Sequence, residues 1–345
     1  MKKNIPNLYV ISTTNQATHT GGGFLTRQIK GLGRSSAITS ALLMLVAMLA
    51  PLAVSHYFIR VLCLTIITYM CVLSLYVLFG MCGQSSFMQC GLWGVGAYIT
   101  ALLTTRLHVP PIIAMLGSMA GTGFFAFLIG LVLFRLKRYY YAFSTIGMMM
   151  VLNGLFLNWT AGTGGALGIS DIPPFGIGPF QVRSGMANYY LILAFATGAT
   201  VMVWMLYRSS LGRSFMAIRD NETAANCMGI NSLITKDIAF ALSGILCGAA
   251  GALFSFLSGY ISSTSFILST SQLYLVIIML GGTSSPAGAL VGSLIITLLP
   301  EWFRPLKDYM MLMYGMGIMG LMIVLPEGLI GGGKDLYDKF RSRRR

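Results

Sequence analysis

Few side chains in this sequence are of the types that carry out chemistry, and their spacing does not bring them together. The three histidines are far apart, and no carboxylate lies in the middle of an apolar run. The six cysteines form no C-x-x-C pair, which is more typical of small buried hydrophobic residues than of a disulfide framework or a metal site. The sequence therefore predicts no catalytic residue and no metal site. The residues concerned are His19, His56, His108, Cys63, Cys71, Cys82, Cys90, Cys227 and Cys247.

One glycine-rich segment, from Gly328 to Asp335, nearly matches a phosphate-binding loop. Asp335 stands where such a loop needs a serine or threonine to hold Mg²⁺, and no strand-to-helix context surrounds it. We interpret the segment as a helix end followed by a basic tail. If ATP drives this protein, we expect ATP and Mg²⁺ to bind to another subunit.

The most charged segment between the two tails is residues 208–237. Its apolar residues recur at helical spacing, and Gly229 suits the end of a helix. This pattern predicts one short helix over 212–228, with exposed charges that cannot lie in lipid. It is either a solvated connector at the level of the lipid headgroups or a rigid lever that docks on a soluble partner. The apolar stripe consists of Phe215, Ile218, Ala225 and Met228.

The composition shows what kind of protein must position these residues. Of the 345 residues, 56% are hydrophobic and only 9% are charged, and the mean hydropathy is +0.77. Apolar runs of about 20 residues recur along the chain, and a helix of that length crosses the hydrocarbon layer of a membrane. The sequence predicts an all-α, polytopic membrane protein in contact with lipid. The net charge of +14 lies at the chain ends and in short loops, which indicates membrane orientation rather than nucleic-acid binding.

Hydropathy divides the chain into a cytoplasmic tail at residues 1–36, a transmembrane domain at 37–330 and a basic cytoplasmic tail at 331–345. About ten spans place both termini and all the strong basic clusters on the cytoplasmic side. If 266–300 is one span rather than two short ones, the count is nine and the basic tail lies outside. The predicted spans are 37–54, 58–79, 87–105, 111–134, 142–158, 188–207, 238–259, 266–282, 287–300 and 309–326.

Two polar, glycine-rich breaks interrupt the apolar runs, at residues 80–86 and 281–286. The small residues after each break suit close helix packing, and paired breaks also suit a translocation path at membrane depth. Asn153 is a neutral polar residue inside a span, and the uncharged outer loop around 163–165 is either a cap near such a path or an ordinary extracellular loop. The lack of a central carboxylate argues against proton-coupled transport, although sodium coupling remains open. The candidate path residues are Gly83, Gln84, Ser85, Ser86, Asn153, Thr163, Gly164, Gly165, Gly281, Gly282, Ser284 and Ser285.

Several stretches, taken in order, carry a likeness to a known family. They are Gly83-Gln84-x-Ser86 with Gly94-x-Gly96-Ala97-Tyr98, then Thr163-Gly164-Gly165 through Ile172-Pro173, Arg219-Asp220-Asn221-Glu222 with Ala224-Ala225, Met228-Gly229-Ile230-Asn231, Leu280-Gly281-Gly282 through Pro286, and Pro326-x-Gly328-Leu329. This set resembles the branched-chain amino-acid permeases of ABC transporters, the LivM type, over about residues 58–331. The segment from Ala224 to Gly229 is similar to the conserved cytoplasmic loop of ABC importers generally.

The resemblance implies the permease fold of an ABC importer in a bacterial inner membrane, with broken helices and no chemistry performed on the solute. It implies a second homologous permease, two ATP-binding cassette subunits and an extracytoplasmic solute-binding protein as partners. Loop 208–237 would receive motion from the ATPase, through Arg219, Asp220, Asn221, Glu222, Ala224, Ala225 and Gly229.

The chain departs from the family at Asn153, which stands near the place where the family often has an acidic residue, and this departure bears on the solute. Branched-chain or other hydrophobic amino acids are the expected solutes, and amides or urea are the alternative within the family. A stand-alone secondary transporter or channel for a small polar solute is the alternative outside it. Loop 208–237 favours the importer, since a carrier without an ATPase needs no docking element.

Overall fold

The computed structural model describes residues 56–136, 138–177, 180–181, 184–283, 285–302, 315–316 and 319–320. The two predicted tails, the first predicted span and most of the last lie outside the described residues, as does Ser284. In the described part the chain is a bundle of helices, with one small antiparallel pair of strands in which Gly176 faces Gln181.

The helices begin and end close to the limits that hydropathy sets, with two exceptions described below. A π-helical turn, Tyr76–Met81, continues the first helix, and short 3₁₀ turns lie at Gly165–Leu167 and Ser263–Ser265. The elements are α1 His56–Leu75, α2 Gln89–Thr105, α3 Pro111–Leu133, α4 Arg138–Asn158, α5 Thr160–Thr163, β1 Gly176–Ile177, β2 Phe180–Gln181, α6 Gly185–Arg208, α7 Ser210–Asp220, α8 Glu222–Cys227, α9 Ser232–Ser258, α10 Leu268–Gly281 and α11 Pro286–Trp302.

Six helical segments in the described part are long and apolar enough to cross a membrane. They comprise α1 with its π-helical turn, α3, α4, α6, α9, and α10 with the 3₁₀ turn before it. The helices α2 and α11 have only 17 residues each, and each follows one of the predicted breaks. The chain is therefore a multi-pass helical protein with broken helices.

Glycine residues bring α2, α3 and α9 into close contact at the centre of the bundle. A Cβ atom on Gly96 of α2 would lie 2.6 Å from the Cα atom of Gly248 on α9. A Cβ atom on Gly251 would lie 2.5 Å from the carbonyl oxygen of Trp93. The Ser118 hydroxyl of α3 donates to the carbonyls of both Gly96 and Gly248, at 2.8 and 3.0 Å. Small residues at these crossings let backbones approach and bond directly, which is how helices associate in lipid.

Contacts at the helix ends define two opposite faces of the bundle. At one end the Arg106 guanidinium donates to the Gly162 carbonyl at 3.1 Å, and Ile169 forms a β-bridge with Ile261. At the other end lie both predicted breaks and the charged helices α7 and α8. We call the latter the loop end, because it carries residues 208–237.

Candidate functional site

The charged segment 208–237 folds as two helices rather than the single helix that its periodicity predicts. Asn221 is extended, with φ −158° and ψ 105°, and its side chain accepts a hydrogen bond from the Ala224 N–H at 3.0 Å. This side-chain cap ends α7 and starts α8, because asparagine competes with helix continuation by bonding the backbone locally. The result is a bend in the middle of the predicted coupling segment.

The other ends of the segment are capped as strongly. The Ser209 hydroxyl accepts from the Gly212 N–H at 3.1 Å, and the Asn231 side chain accepts from the Ile234 N–H at 3.3 Å. Gly229 has a φ of +84°, the left-handed conformation that the sequence pattern predicts at a helix stop. The chain therefore enters and leaves α7 and α8 at fixed angles.

Apolar side chains hold α7 and α8 against the bundle. Phe215 is fully buried, and Ile218 and Ala225 are each 3% exposed. Met228, which the stripe also includes, is instead 83% exposed. Three of the four predicted stripe residues thus face the protein, and the fourth faces away from it.

Two charged side chains of the segment bond to neighbouring helical elements of the bundle. Arg219 Nη1 donates a hydrogen bond to the carbonyl oxygen of Gly80, in the π-helical turn after α1. Glu222 pairs with Lys236 of α9, which is 7% exposed. The remaining predicted coupling residues outside the buried Ala225 are all exposed, and they are Asp220, Asn221, Ala224 and, just after α8, Gly229.

The first break, predicted at residues 80–86, begins in the last residues of the π-helical turn and continues to residue 88 as a tight turn held by backbone bonds. The Gly83 N–H donates to the Phe79 carbonyl at 3.1 Å, and Gly83 has a φ of +73°. The Ser86 hydroxyl accepts from the Met88 N–H at 3.2 Å and so holds the turn directly before α2. Gln84 and Ser86 are buried, and Ser85 is half-buried. A polar cavity of about 200 Å³ separates part of this turn from α7, and its lining consists of Cys82, Gly83, Gln84, Ile218, Arg219, Asp220, Asn221 and Glu222.

The second break separates α10 from α11, as the reading with two short spans predicts. Gly282 has a φ of +104°, and a Cβ atom on Gly281 would lie 1.9 Å from the Gly288 carbonyl oxygen. The buried hydroxyl of Ser285 has no hydrogen-bond partner among the described residues. This break meets the first one, since a Cβ atom on Gly80 would lie 3.1 Å from the Thr283 carbonyl oxygen.

The other predicted path residues lie away from the breaks. The Asn153 amide donates to the carbonyls of Ser263 and Phe266, at 3.2 and 2.6 Å. The Thr163 hydroxyl donates to the carbonyls of Phe156 and Trp159, both at 2.8 Å, and Gly164 and Gly165 are left-handed. The structure thus brings the two breaks together with the charged segment, and it groups Asn153 with elements nearer the opposite end.

Two buried polar residues were missed by the sequence analysis. Gln89, at the start of α2, donates from Nε2 to the Ser243 hydroxyl at 3.0 Å, and its Oε1 accepts from Ser74 at 3.3 Å. Asp237 is 1% exposed, and neither carboxylate oxygen has a partner among the described residues. The sequence pattern assigns Asp237 to the charged segment 208–237, whereas α9 starts at Ser232 rather than at residue 238 and buries Asp237 in its second turn. An amide or acid directly at the edge of an apolar run was the available signal.

Comparison with known proteins identifies the family of the chain. The family model described as "Branched-chain amino acid transport system / permease component" matches residues 57–326, so the chain belongs to this family. The chain is 29% identical to the high-affinity branched-chain amino acid transport system permease protein LivM of Escherichia coli K12, over 90% of this chain and 78% of that protein. It is 30% identical to LivM of Salmonella typhimurium, over 84% of this chain and 73% of that protein.

A more distant similarity extends to another import system. The chain is 27% identical to the autoinducer 2 import system permease protein LsrC of Yersinia pestis (strain Pestoides F), over 59% of this chain and 49% of that protein. No solved structure matches the chain. The chain is a multi-pass permease component of an ABC importer, as the resemblance in its motifs predicts.

Proposed function

We propose that this chain is one of two homologous permease subunits of an ATP-driven importer in the bacterial inner membrane, with both termini cytoplasmic. The solutes are branched-chain or other hydrophobic amino acids, and two ATP-binding cassette subunits bind ATP and Mg²⁺. This chain moves the solute without binding nucleotide itself. An extracytoplasmic solute-binding protein delivers the solute.

The observation that carries this proposal is the construction of α7 and α8. They are capped at each end, anchored by buried Phe215 and Ile218, and charged on their outward face. A connector that only joined two spans would not need this rigidity. A segment that receives force from another subunit does, because a loose loop would absorb the displacement instead of transmitting it.

The surface of the bundle suits a position in lipid beside a second permease. Large apolar side chains are exposed along α3, α4 and α6, within segments long enough to span a membrane. Exposed apolar surface of this extent marks a membrane or protein interface rather than a face in water. The side chains include Phe124, Val132, Phe143, Val151, Val201 and Met205.

Neutral polar groups at the breaks support a small zwitterionic solute. The two breaks offer backbone carbonyls, the Gln84 amide and the Ser285 hydroxyl, and none of the candidate path residues is charged. A solute that carries its own balanced charges needs such dipoles rather than a counter-ion. The similarity to LivM proteins favours branched-chain amino acids over autoinducer 2, because it covers more of both chains.

A pull-down and a transport assay together test the proposal. Tagged chain, extracted from its native membrane in mild detergent, should bring down a second permease and nucleotide-binding subunits. The same preparation in proteoliposomes, with the solute-binding protein, should take up labelled leucine only with ATP, in competition with valine and isoleucine. A chain that emerges alone in several detergents, or transports without ATP, would favour a secondary transporter. ATP-dependent uptake of a different solute would support the assignment as an importer and contradict the assignment of amino acids as its solutes.

A further inference from the structure

Gly80 is the point where the charged segment and both helix breaks meet. Its carbonyl accepts a hydrogen bond from Arg219 of α7, and its Cα hydrogens face the Thr283 carbonyl of the second break. A Cβ atom at this position would lie 2.5 Å from the Tyr76 ring and 3.1 Å from the Thr283 oxygen. Only a glycine fits there, and the two breaks therefore pack backbone against backbone at the loop end of the bundle.

Arg219 contacts the first break at two places along its side chain. Its stem lies against Gly83, where a Cβ atom would be 3.1 Å from Arg219 Cγ, and its guanidinium reaches Gly80. Gly80 lies in the last turn before the chain breaks, where carbonyls lack a partner further along the helix. Arginine supplies that partner from another element, through a charge-assisted hydrogen bond that is stronger than a bond between neutral groups. The Tyr76–Met81 segment is also a π-helical turn, a form that is frequent at functional sites in helices.

The surroundings of Arg219 allow the bond to open. The polar cavity between residues 82–84 and 218–222 lies beside the guanidinium and has a volume of about 200 Å³, which is enough for several water molecules. A guanidinium released from Gly80 would enter this space and exchange one hydrogen bond for hydration. A displacement of α7 therefore breaks the contact without burying an unpaired charge.

We propose that Arg219 is the latch of the gate at the loop end, formed by the two breaks around Gly80. While Arg219 holds the Gly80 carbonyl, the first break stays packed on Thr283 and the gate is shut. When the ATPase subunits move α7 and α8, Arg219 leaves Gly80 and the π-helical turn is free to separate from the second break. This inference rests on the proposed function, since it takes loop 208–237 to be the segment that the ATPase moves.

The test uses the complete transporter in proteoliposomes, with Arg219→Gln and Arg219→Lys as variants. A Cys227→Ser background removes the one exposed cysteine of the described residues, and native Cys82, which is buried in the first break and lines the cavity, serves as the reporter thiol. The readouts are the ATP hydrolysis rate, the solute taken up per ATP, and the rate at which a membrane-impermeant maleimide labels Cys82 from the loop end. Arg213→Gln is the matched control, because this arginine of α7 bonds only the nearby Arg208 carbonyl among the described residues.

With Arg219→Gln we expect labelling of the reporter without nucleotide to rise about tenfold, since a lost charge-assisted bond is worth about one such factor. ATP hydrolysis should continue while solute uptake per ATP falls at least fivefold. Arg219→Lys keeps the charge with a shorter reach, so its labelling and its uptake per ATP should lie between those of the parent and those of Arg219→Gln. Arg213→Gln should match the parent.

Two results would overturn the latch. Labelling and uptake per ATP that stay at parental values in Arg219→Gln would show that the bond holds nothing shut. Lost ATP hydrolysis with unchanged labelling would assign Arg219 to subunit contact instead. Co-purification of the ATPase subunits with each variant checks folding. Failure of the unsubstituted chain to show ATP-dependent uptake would instead count against the proposed function, so the two failures are distinguishable.

Discussion

The ammonium nitrogen of Lys236 lies 2.5 Å from the carboxylate oxygen Oε1 of Glu222, which joins the first turn of α8 to the buried face of α9. Lys236 is nearly buried, whereas the side chain of Glu222 is 46% exposed. Loop 208–237 therefore supplies the exposed carboxylate of the pair, and the bundle fixes the position of the ammonium group. Together with Arg219 on Gly80, the pair fixes α7 and α8 to two different core helices, α1 and α9.

Charge reversal at Glu222 tests this connection. Glu222→Lys places two ammonium groups together and leaves Lys236 unpaired in a nearly buried site, which costs about 1–3 kcal/mol. We expect ATP-dependent uptake to fall at least tenfold while membrane insertion stays intact. The measurement is labelled-solute uptake, with the amount of inserted chain determined in the same vesicles.

The charge-swapped double variant is the control for that change. Glu222→Lys combined with Lys236→Glu restores opposite charges at the same two positions and should recover a large part of the uptake. Normal uptake in the single variant would show that transport needs neither this ion pair nor segment 208–237 as a rigid lever. A double variant no better than the single one would mean that Glu222 acts on a partner subunit rather than on Lys236.

Gly229 allows backbone conformation to be separated from steric contact. It has a φ of +84°, and an added Cβ atom would meet nothing within 4 Å. A β-branched residue in the left-handed region costs about 1–2 kcal/mol, whereas asparagine tolerates it. Gly229→Val should therefore lower uptake strongly by redirecting the chain after α8, and Gly229→Asn should not. The measurement is ATP-dependent uptake at equal expression.

Gly198 provides the matched control for that comparison. It lies in α6, has equally open space around it and is not left-handed, so Gly198→Ala should leave uptake unchanged. Equal effects of valine and asparagine at Gly229 would contradict the conformational argument. They would indicate that any side chain at position 229 obstructs contact with a partner subunit.

Gly130 and Asp237 form a steric pair between α3 and α9. A Cβ atom on Gly130 would lie 1.9 Å from Asp237 Oδ1, and the carboxylate has no partner among the described residues. Gly130→Ala should lower the stability of the bundle by about 1–3 kcal/mol because Asp237 is displaced. Asp237→Ala should cost little by itself, since it removes an uncompensated buried carboxylate. Thermal unfolding in detergent measures both.

The double variant decides whether the two positions interact. Gly130→Ala with Asp237→Ala should recover most of the stability that Gly130→Ala loses, giving an interaction energy of about 1 kcal/mol or more. Gly154→Ala of α4, where nothing lies within 4 Å, should be harmless in the same assay. Strictly additive effects would mean that the two residues do not touch in the protein as purified.

The helical bundle was predictable from the sequence because hydropathy reports directly which segments suit lipid. The breaks were also predictable, since glycine clusters such as Gly281 and Gly282 interrupt the apolar runs. The limits of α7 and α9 were not. Asn221 splits the predicted helix through a side-chain cap, and α9 extends back over Lys236 and Asp237, whose burial depends on tertiary partners that hydropathy does not report.

The candidate site was predictable in parts but not as an assembly. The sequence identified Arg219, Gly83 and Gly282 as members of three separate features, and only the fold brings those features together at Gly80. Asn153 shows the reverse case. An amide inside a span suits both a path and a structural bond, and here its Nδ2 donates to the carbonyls of Ser263 and Phe266. Residue type alone does not distinguish the two.

Ser285 is the candidate path residue whose role is easiest to isolate. Its buried hydroxyl has no partner among the described residues, so it contributes no bond there that a substitution would remove. A buried polar group without a partner is costly, and a hydroxyl kept at a break is best explained by a bond made during transport. Ser285→Ala should therefore leave thermal stability unchanged or slightly raised, and it should raise the KM for uptake at least threefold.

Ser293 of α11 is the control, because its hydroxyl is satisfied within its own helix by the Leu290 carbonyl at 2.9 Å. Ser293→Ala should leave the KM unchanged. Gln84→Ala, at the other break, should change the KM or the maximal rate without releasing ATP hydrolysis from its dependence on solute. An unaltered transport profile in both Ser285→Ala and Gln84→Ala would reduce the two breaks to packing elements, since a path through them requires at least one of these groups to meet the solute.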